Sequence, residues 1–182
     1  MRLLKLLGSI TSLLIFGSMF ACSDTPTKSP DVVSNIRTSL DRAGLKDVNV
    51  IQDRDKGVIT LTGNTLTDAD KIQAESIAKS FAGPQVVSDQ IAVRPPGAED
   101  IAKKVDSDLD KGIEKNFDAV LVRHKLDRTV KYDVKNGVIT LNGKVNSQSK
   151  RAWVEKLATG VPNVKQVVNE LEVKNQKASS SD

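Results

Sequence analysis

The 182-residue chain holds one cysteine, Cys22, and one histidine, His124. A lone cysteine has no partner for an internal disulfide, and a lone histidine builds no multi-histidine site, so neither a metal nor a cofactor is expected. Aromatic residues make up 3% of the chain, with a single Trp and a single Tyr. Any core must therefore be made of Val, Ile, Leu and Ala, at a size that suits one ordinary domain or two very small ones. Catalysis has little to work with, because only His124 offers an imidazole base and no nucleophile has a recognisable setting around it. No enzyme is expected.

Charge is also missing at the front. After Arg2 and Lys5 no charged residue occurs until Asp24, and an apolar stretch runs through Leu13, Leu14, Ile15 and Phe16. Basic start, apolar middle and a small residue at Ala21 are the order of a secretory signal over residues 1–22. Gly8, Ser9, Thr11, Ser12, Gly17 and Ser18 interrupt the run, which leaves a permanent membrane-spanning helix, needing about 20 apolar residues, as the weaker reading. Met19-Phe20-Ala21-Cys22 resembles a bacterial lipobox, with Met19 and Phe20 in place of the usual Leu and small residue. That resemblance implies an acylated Cys22, a flexible tether over residues 23–30, and, since Ser23 follows the cysteine, the outer membrane rather than the inner. A plain secretory cut with an incidental thiol is the alternative.

The rest of the chain repeats itself. Gly57-Val58-Ile59-Thr60-Leu61-Thr62-Gly63 returns 80 residues later as Gly137-Val138-Ile139-Thr140-Leu141-Asn142-Gly143, and Val87, Ile91 and Val93 fall on Val167, Leu171 and Val173 at the same offset. One register held over that span marks a tandem duplication, with Pro95-Pro96-Gly97 between the copies. Asp31 to Ala43 has helical apolar spacing at Val32, Val33, Ile36 and Leu40 and is stopped by Gly44. Two β-rich runs, Val48 to Gln52 and Val58 to Thr62, make a hairpin; Thr67 caps a helix to Phe81; Val86 to Val93 is a third strand. The second copy reads as strands Thr129 to Val134 and Gly137 to Asn142, helix Ser147 to Thr159, and strand Val164 to Val173.

The fold class is thus α+β: two tandem α-β-β-α-β domains, each a small three-stranded mixed sheet with two helices on one face. Residues 31–94 and 113–174 are the expected domains, 95–112 a linker with an extra helix, and 175–182 a disordered tail. Glu99 to Leu126 reads as one long helix whose apolar residues recur every four positions. Such a stripe turns about 40° per step, so one straight helix cannot bury all of it, and a bend at Gly112 is expected. Gly57 and Gly137 suit hairpin turns, and Gly63 and Gly143 suit the exit into the second helix.

The Gly-Val-Ile-Thr-Leu-x-Gly strand, the Ala-containing helix after it, and the closing Val167-x-Asn169-x-Leu171-x-Val173 pattern resemble the BON domain, named for bacterial osmotic-stress and nodulation proteins. The closing motif is weaker in the first copy, where Asp89 and Ile91 are only similar. The resemblance spans residues 31–174. It implies an envelope location, association with phospholipid, a part in membrane integrity or stress tolerance, and no catalytic residues to carry over.

Residues 31–94 hold 8 basic against 9 acidic side chains, whereas 113–174 hold 12 against 7. The second domain is therefore the better match for an anionic surface. Lys111, Lys115, Phe117, Arg123, His124, Lys125 and Arg128 are its candidate lipid-contacting residues, basic groups beside apolar ones at one helix. The competing reading makes Phe117, Val120 and Leu121 core, the cations a solvated face and His124 structural. Trp153 reads as an interfacial anchor or as a ring partly buried against the sheet. The expected partner is an anionic phospholipid membrane, with envelope proteins second. Nucleic acid is not expected, because beyond residue 22 the chain has 25 basic against 23 acidic residues.

Overall fold

The structure is a computed structural model that describes residues 28–174. The signal, Cys22 and the tail 175–182 lie outside the described residues. Domain 1 comprises α1 (Val33–Arg42), β1 (Val48–Asp53), β2 (Val58–Thr65), α2 (Asp68–Ala82), β3 (Val86–Asp89) and β4 (Ala92–Val93). The rest of the described chain is α3 (Glu99–Arg123), β5 (Val130–Lys135), β6 (Val138–Val145), α4 (Gln148–Thr159), β7 (Gln166–Asn169) and β8 (Glu172–Val173). In each sheet an antiparallel hairpin is joined by a parallel third strand, giving the mixed sheet that the duplication predicts.

The third strand of each copy is split. β3 and β4 both pair with β2, as β7 and β8 do with β6, but residues 90–91 and 170–171 leave the ladder. A carbonyl freed in that way needs a donor. Lys71 of α2 donates to the Ile91 carbonyl at 2.6 Å, and Arg151 of α4 donates to the Leu171 and Asn169 carbonyls at 3.0 and 2.7 Å. The second helix of each domain thus braces the break with a cation.

The 80-residue offset holds only from β2 onward. Leu40 corresponds to Leu121, and Val48 to Val130, which faces Gly143 as Val48 faces Gly63. The second copy reaches β6 through a hairpin turn two residues shorter, Asn136-Gly137 against residues 54–57. Gly63 and Gly143 do not mark the exit into a helix; they lie inside β2 and β6. Their φ angles are +103° and +122°, and a Cβ there would sit 2.0 Å from the Asp47 carbonyl oxygen or 2.3 Å from that of Thr129. Only glycine admits that approach.

Each copy has its own apolar core between helices and sheet, around Ile36, Leu40, Ile59 and Leu61 in domain 1 and Ile113, Phe117, Ile139 and Leu141 in domain 2. The opposite sheet faces meet each other. Val58, Val138 and Val168 form a small buried cluster there. The Gln166 side chain acts as a short strand substitute on the open edge of β3: its Nε2 donates to the Val87 carbonyl at 2.7 Å and its Oε1 accepts from the Asp89 amide at 3.1 Å. Asn136 donates to the Gln90 carbonyl at 2.7 Å, and Lys56 to Glu170 at 2.6 Å. The two domains are therefore laid back to back.

α3 does not break at Gly112. It runs as one helix of 25 residues, and the wandering stripe is resolved differently: Ile113, Phe117 and Leu121 are buried, while Ile101, Val105 and Leu109 stay 70%, 51% and 40% exposed. The first half is a strut. Asp106 pairs with Arg94 at 2.6 Å, and the Asp110 carboxylate accepts from the amides of Asn136 and Gly137, both at 2.8 Å.

Candidate functional site

α3 ends in a compact cap. Leu126 N–H donates to the Leu121 carbonyl at 2.8 Å and Lys125 N–H to the Val122 carbonyl at 3.1 Å, the paired bonds of a Schellman motif, and Leu126 inserts its side chain into the core. α1 ends the same way, with Leu45 bonded to Leu40 at 2.9 Å and Gly44 to Asp41 at 3.1 Å. The motif needs a left-handed residue, and the two copies fill it differently. Domain 1 uses Gly44 at φ 79°; domain 2 uses Lys125 at φ 56°. A non-glycine residue in that region costs of order 1 kcal/mol or more, and such costs gather at functional sites.

The cap presents a dense group of cations. Arg123, His124 and Lys125 follow one another at the end of α3, and Arg128 lies in the turn that leads to β5. None of Arg123, Lys125, Arg128 or Lys150 enters an ion pair among the described residues. Beside them His124 meets the Trp153 ring of α4 edge-on, centroids 4.9 Å apart at 81°, and Lys150 stands over the same ring, 4.1 Å from its centroid. Val122 is 63% exposed on the same last turn. Unpaired cations, a half-buried indole and an exposed aliphatic side chain suit a surface that is anionic outside and apolar just beneath.

The candidate residues are thus only partly brought together. Arg123, His124, Lys125 and Arg128 share the end of α3. Lys115 and Lys111 lie about 12 and 18 Å back along the helix by its rise, and Lys111 stands 3.9 Å from Asp108. Phe117 must be removed from the set, because it is 0% exposed and packs edge-on against Tyr132 at 4.9 Å in the core. The Tyr132 hydroxyl donates to Asp118 at 2.8 Å; burial and that carboxylate raise its pKa, so the phenol stays a donor. Trp153, read from the sequence as either an interfacial anchor or a ring partly buried against the sheet, is half-buried beside the cap, and Lys150, which the sequence did not single out, shares its face of α4 by their three-residue spacing. What hid their place beside the cap was distance along the chain, since α4 meets the end of α3 only in the fold.

Chemistry elsewhere is already committed. The cleft of about 450 Å³ lined by Asp53, Lys56, Arg151 and Glu170 has its cations engaged, Lys56 on Glu170 and Arg151 on two carbonyls. Glu170 holds the Lys56 ammonium above its usual pKa, which makes it a clamp and a poor base.

Comparison with known proteins agrees with this architecture. The family model "BON domain" matches residues 30–95 and 98–175. Osmotically-inducible protein Y of Escherichia coli (strain K12) is 30% identical over 146 residues, covering 79% of this chain and 71% of that protein. Among solved structures, the C-terminal domain of CdsD, a structural protein of the type III secretion system of Chlamydia trachomatis, covers 82% of this chain and 100% of its own at 12% identity, with a TM-score of 0.34. A second CdsD structure covers 80% and 93% at 13% identity and a TM-score of 0.35. Scores that low carry no argument. The family match and the 30% relative do: this chain belongs to the BON-domain family and carries the domain twice.

Proposed function

We propose that the protein is a non-catalytic, lipid-anchored component of the bacterial cell envelope that binds anionic phospholipid surfaces through domain 2 and supports membrane integrity under osmotic stress. The stress role follows the name of its osmotically inducible relative. The observation that carries the binding reading is the end of α3, where Arg123, Lys125 and Arg128 stand without carboxylate partners among the described residues, beside exposed Val122 and the Trp153–Lys150 pair. Each such cation adds about 1 kcal/mol of attraction at an anionic leaflet. Cys22 is the proposed acylation site; multiple acyl chains there would make the attachment stable, where a single chain would only visit.

The test is flotation of the unacylated fragment 23–182 with phosphatidylglycerol-containing and neutral vesicles. Wild type is expected to float with the anionic vesicles at low salt and less at physiological salt, where the screening length falls to about 8 Å. Reversal of Arg123, Lys125 and Arg128 to Glu is expected to abolish flotation with the circular dichroism unchanged. Equal flotation by the reversed variant would move the reading to a periplasmic chaperone or protein-binding scaffold.

A further inference from the structure

The geometry points to a single membrane-facing end for the whole molecule: the chain enters domain 1 at the end of the particle that carries the basic cap of domain 2. An acyl group on Cys22 and the α3 cap then engage one bilayer together, with the β1–β2 turn of domain 1 beside them. This rests on the membrane reading above and extends it from a patch to an orientation.

The entry point is strapped down. Ser29 N–H donates to the Arg54 carbonyl at 3.0 Å, Arg54 Nε donates back to the Ser29 carbonyl at 2.6 Å, and Gln52 donates to the Pro30 carbonyl at 2.7 Å. Lys28 pairs with Asp55 at 3.3 Å. From Lys28 onward the chain is therefore part of the β1–β2 turn.

That turn is also tied to one end of domain 2. Lys56 reaches Glu170 at 2.6 Å and Asn142 at 3.4 Å. Asn142 precedes Gly143, which faces Val130, and Val130 follows the α3 cap directly, its amide bonded to the Leu126 carbonyl at 2.9 Å. Gln90 of domain 1, by contrast, meets Asn136 at the opposite end of domain 2. The strands of the two domains run in opposed directions, so the equivalent α1 cap, Arg42 to Lys46, is carried to the far end.

Chain length decides whether the molecule can turn over. Cys22 and Ser29 are seven residue steps apart, with six residues between them, and seven steps span at most about 25 Å. From Asn142 back to Val138 is about 13 Å of strand, and from Asp110 on to Glu99 about 16 Å of helix, together about 30 Å to the far end. An anchored molecule standing on that end would need more tether than the sequence supplies.

The test uses the full acylated chain in vesicles of phosphatidylethanolamine and phosphatidylglycerol, with nitroxides on Asp127→Cys, Asp55→Cys, Lys46→Cys and Lys103→Cys, one at a time. Labels at 127 and 55 are expected to collide more with membrane-partitioned oxygen than with an aqueous nickel chelate, and labels at 46 and 103 the reverse. Four equally aqueous labels, or membrane contact at 46 and 103, would overturn the orientation. Failure of the unacylated fragment to float defeats the patch itself, whereas a bound acylated chain with inverted labels defeats only this inference.

Discussion

Lys125→Gly is expected to stabilise the protein and weaken its membrane binding at once. At φ 56° the lysine occupies a region that Gly44, at φ 79°, fills without cost in the other copy. Left-handed backbone costs a residue with a Cβ about 1–2 kcal/mol, and glycine gives back about 0.5–1 kcal/mol through the entropy of the unfolded chain. The net gain is about 0.5–1 kcal/mol. Losing one of the cap's cations removes about 1 kcal/mol of attraction to an anionic leaflet, roughly fivefold in affinity. Gly44→Lys is the converse experiment. A Cβ at that position meets nothing within 4 Å, so its expected loss of about 1 kcal/mol is a backbone effect alone. Urea unfolding of both variants and vesicle titration of Lys125→Gly measure these quantities. If Lys125→Gly unfolds earlier than wild type, or binds anionic vesicles as well, the argument that strain is kept for the sake of the ammonium fails.

Gly143→Ala should cost about 3 kcal/mol or prevent folding of domain 2, since its Cβ would meet the Thr129 carbonyl oxygen at 2.3 Å; thermal melting reads this. Gln166→Ala removes the two bonds that dock β7 on the edge of β3, at 2.7 and 3.1 Å, and should cost about 1–3 kcal/mol at the domain interface, seen as a second unfolding transition by calorimetry. Burial raises the Asp89 carboxyl above its ordinary 3.8, even with Lys71 at 3.5 Å. The folded state therefore holds that proton more tightly than the unfolded chain, and Asp89 takes stability away as pH rises from 3.8 through its folded value. Asp89→Asn, which copies Asn169 of the other domain, should flatten that fall in urea midpoints; a steeper fall counts against it.

Most of the fold was legible because identical strand motifs and matched helix positions demand one core built twice. The split of the third strand was not, since it depends on Lys71 and Arg151 reaching carbonyls about 20 residues away in sequence. The unbroken α3 escaped notice for a related reason. The apolar period of Ile101, Val105 and Leu109 was read as a demand for burial, and the helix leaves these side chains in solvent while Asp106 and Asp110 fix its first half by polar bonds. At the candidate site the sequence located the cationic helix end but could not sort Phe117 into the core or bring Trp153 and Lys150 to His124. Those assignments depend on helix rotation and on the packing of α4, which neither charge nor spacing on α3 records.

Trp153 is the only tryptophan in the chain and stands within the proposed contact surface. Its fluorescence during titration with phosphatidylglycerol vesicles therefore tests the central claim without a label. The account predicts a blue shift, quenching by brominated acyl chains, and loss of both on reversing Arg123, Lys125 and Arg128. An emission spectrum unchanged at saturating anionic lipid, for a chain shown to be folded, would contradict it.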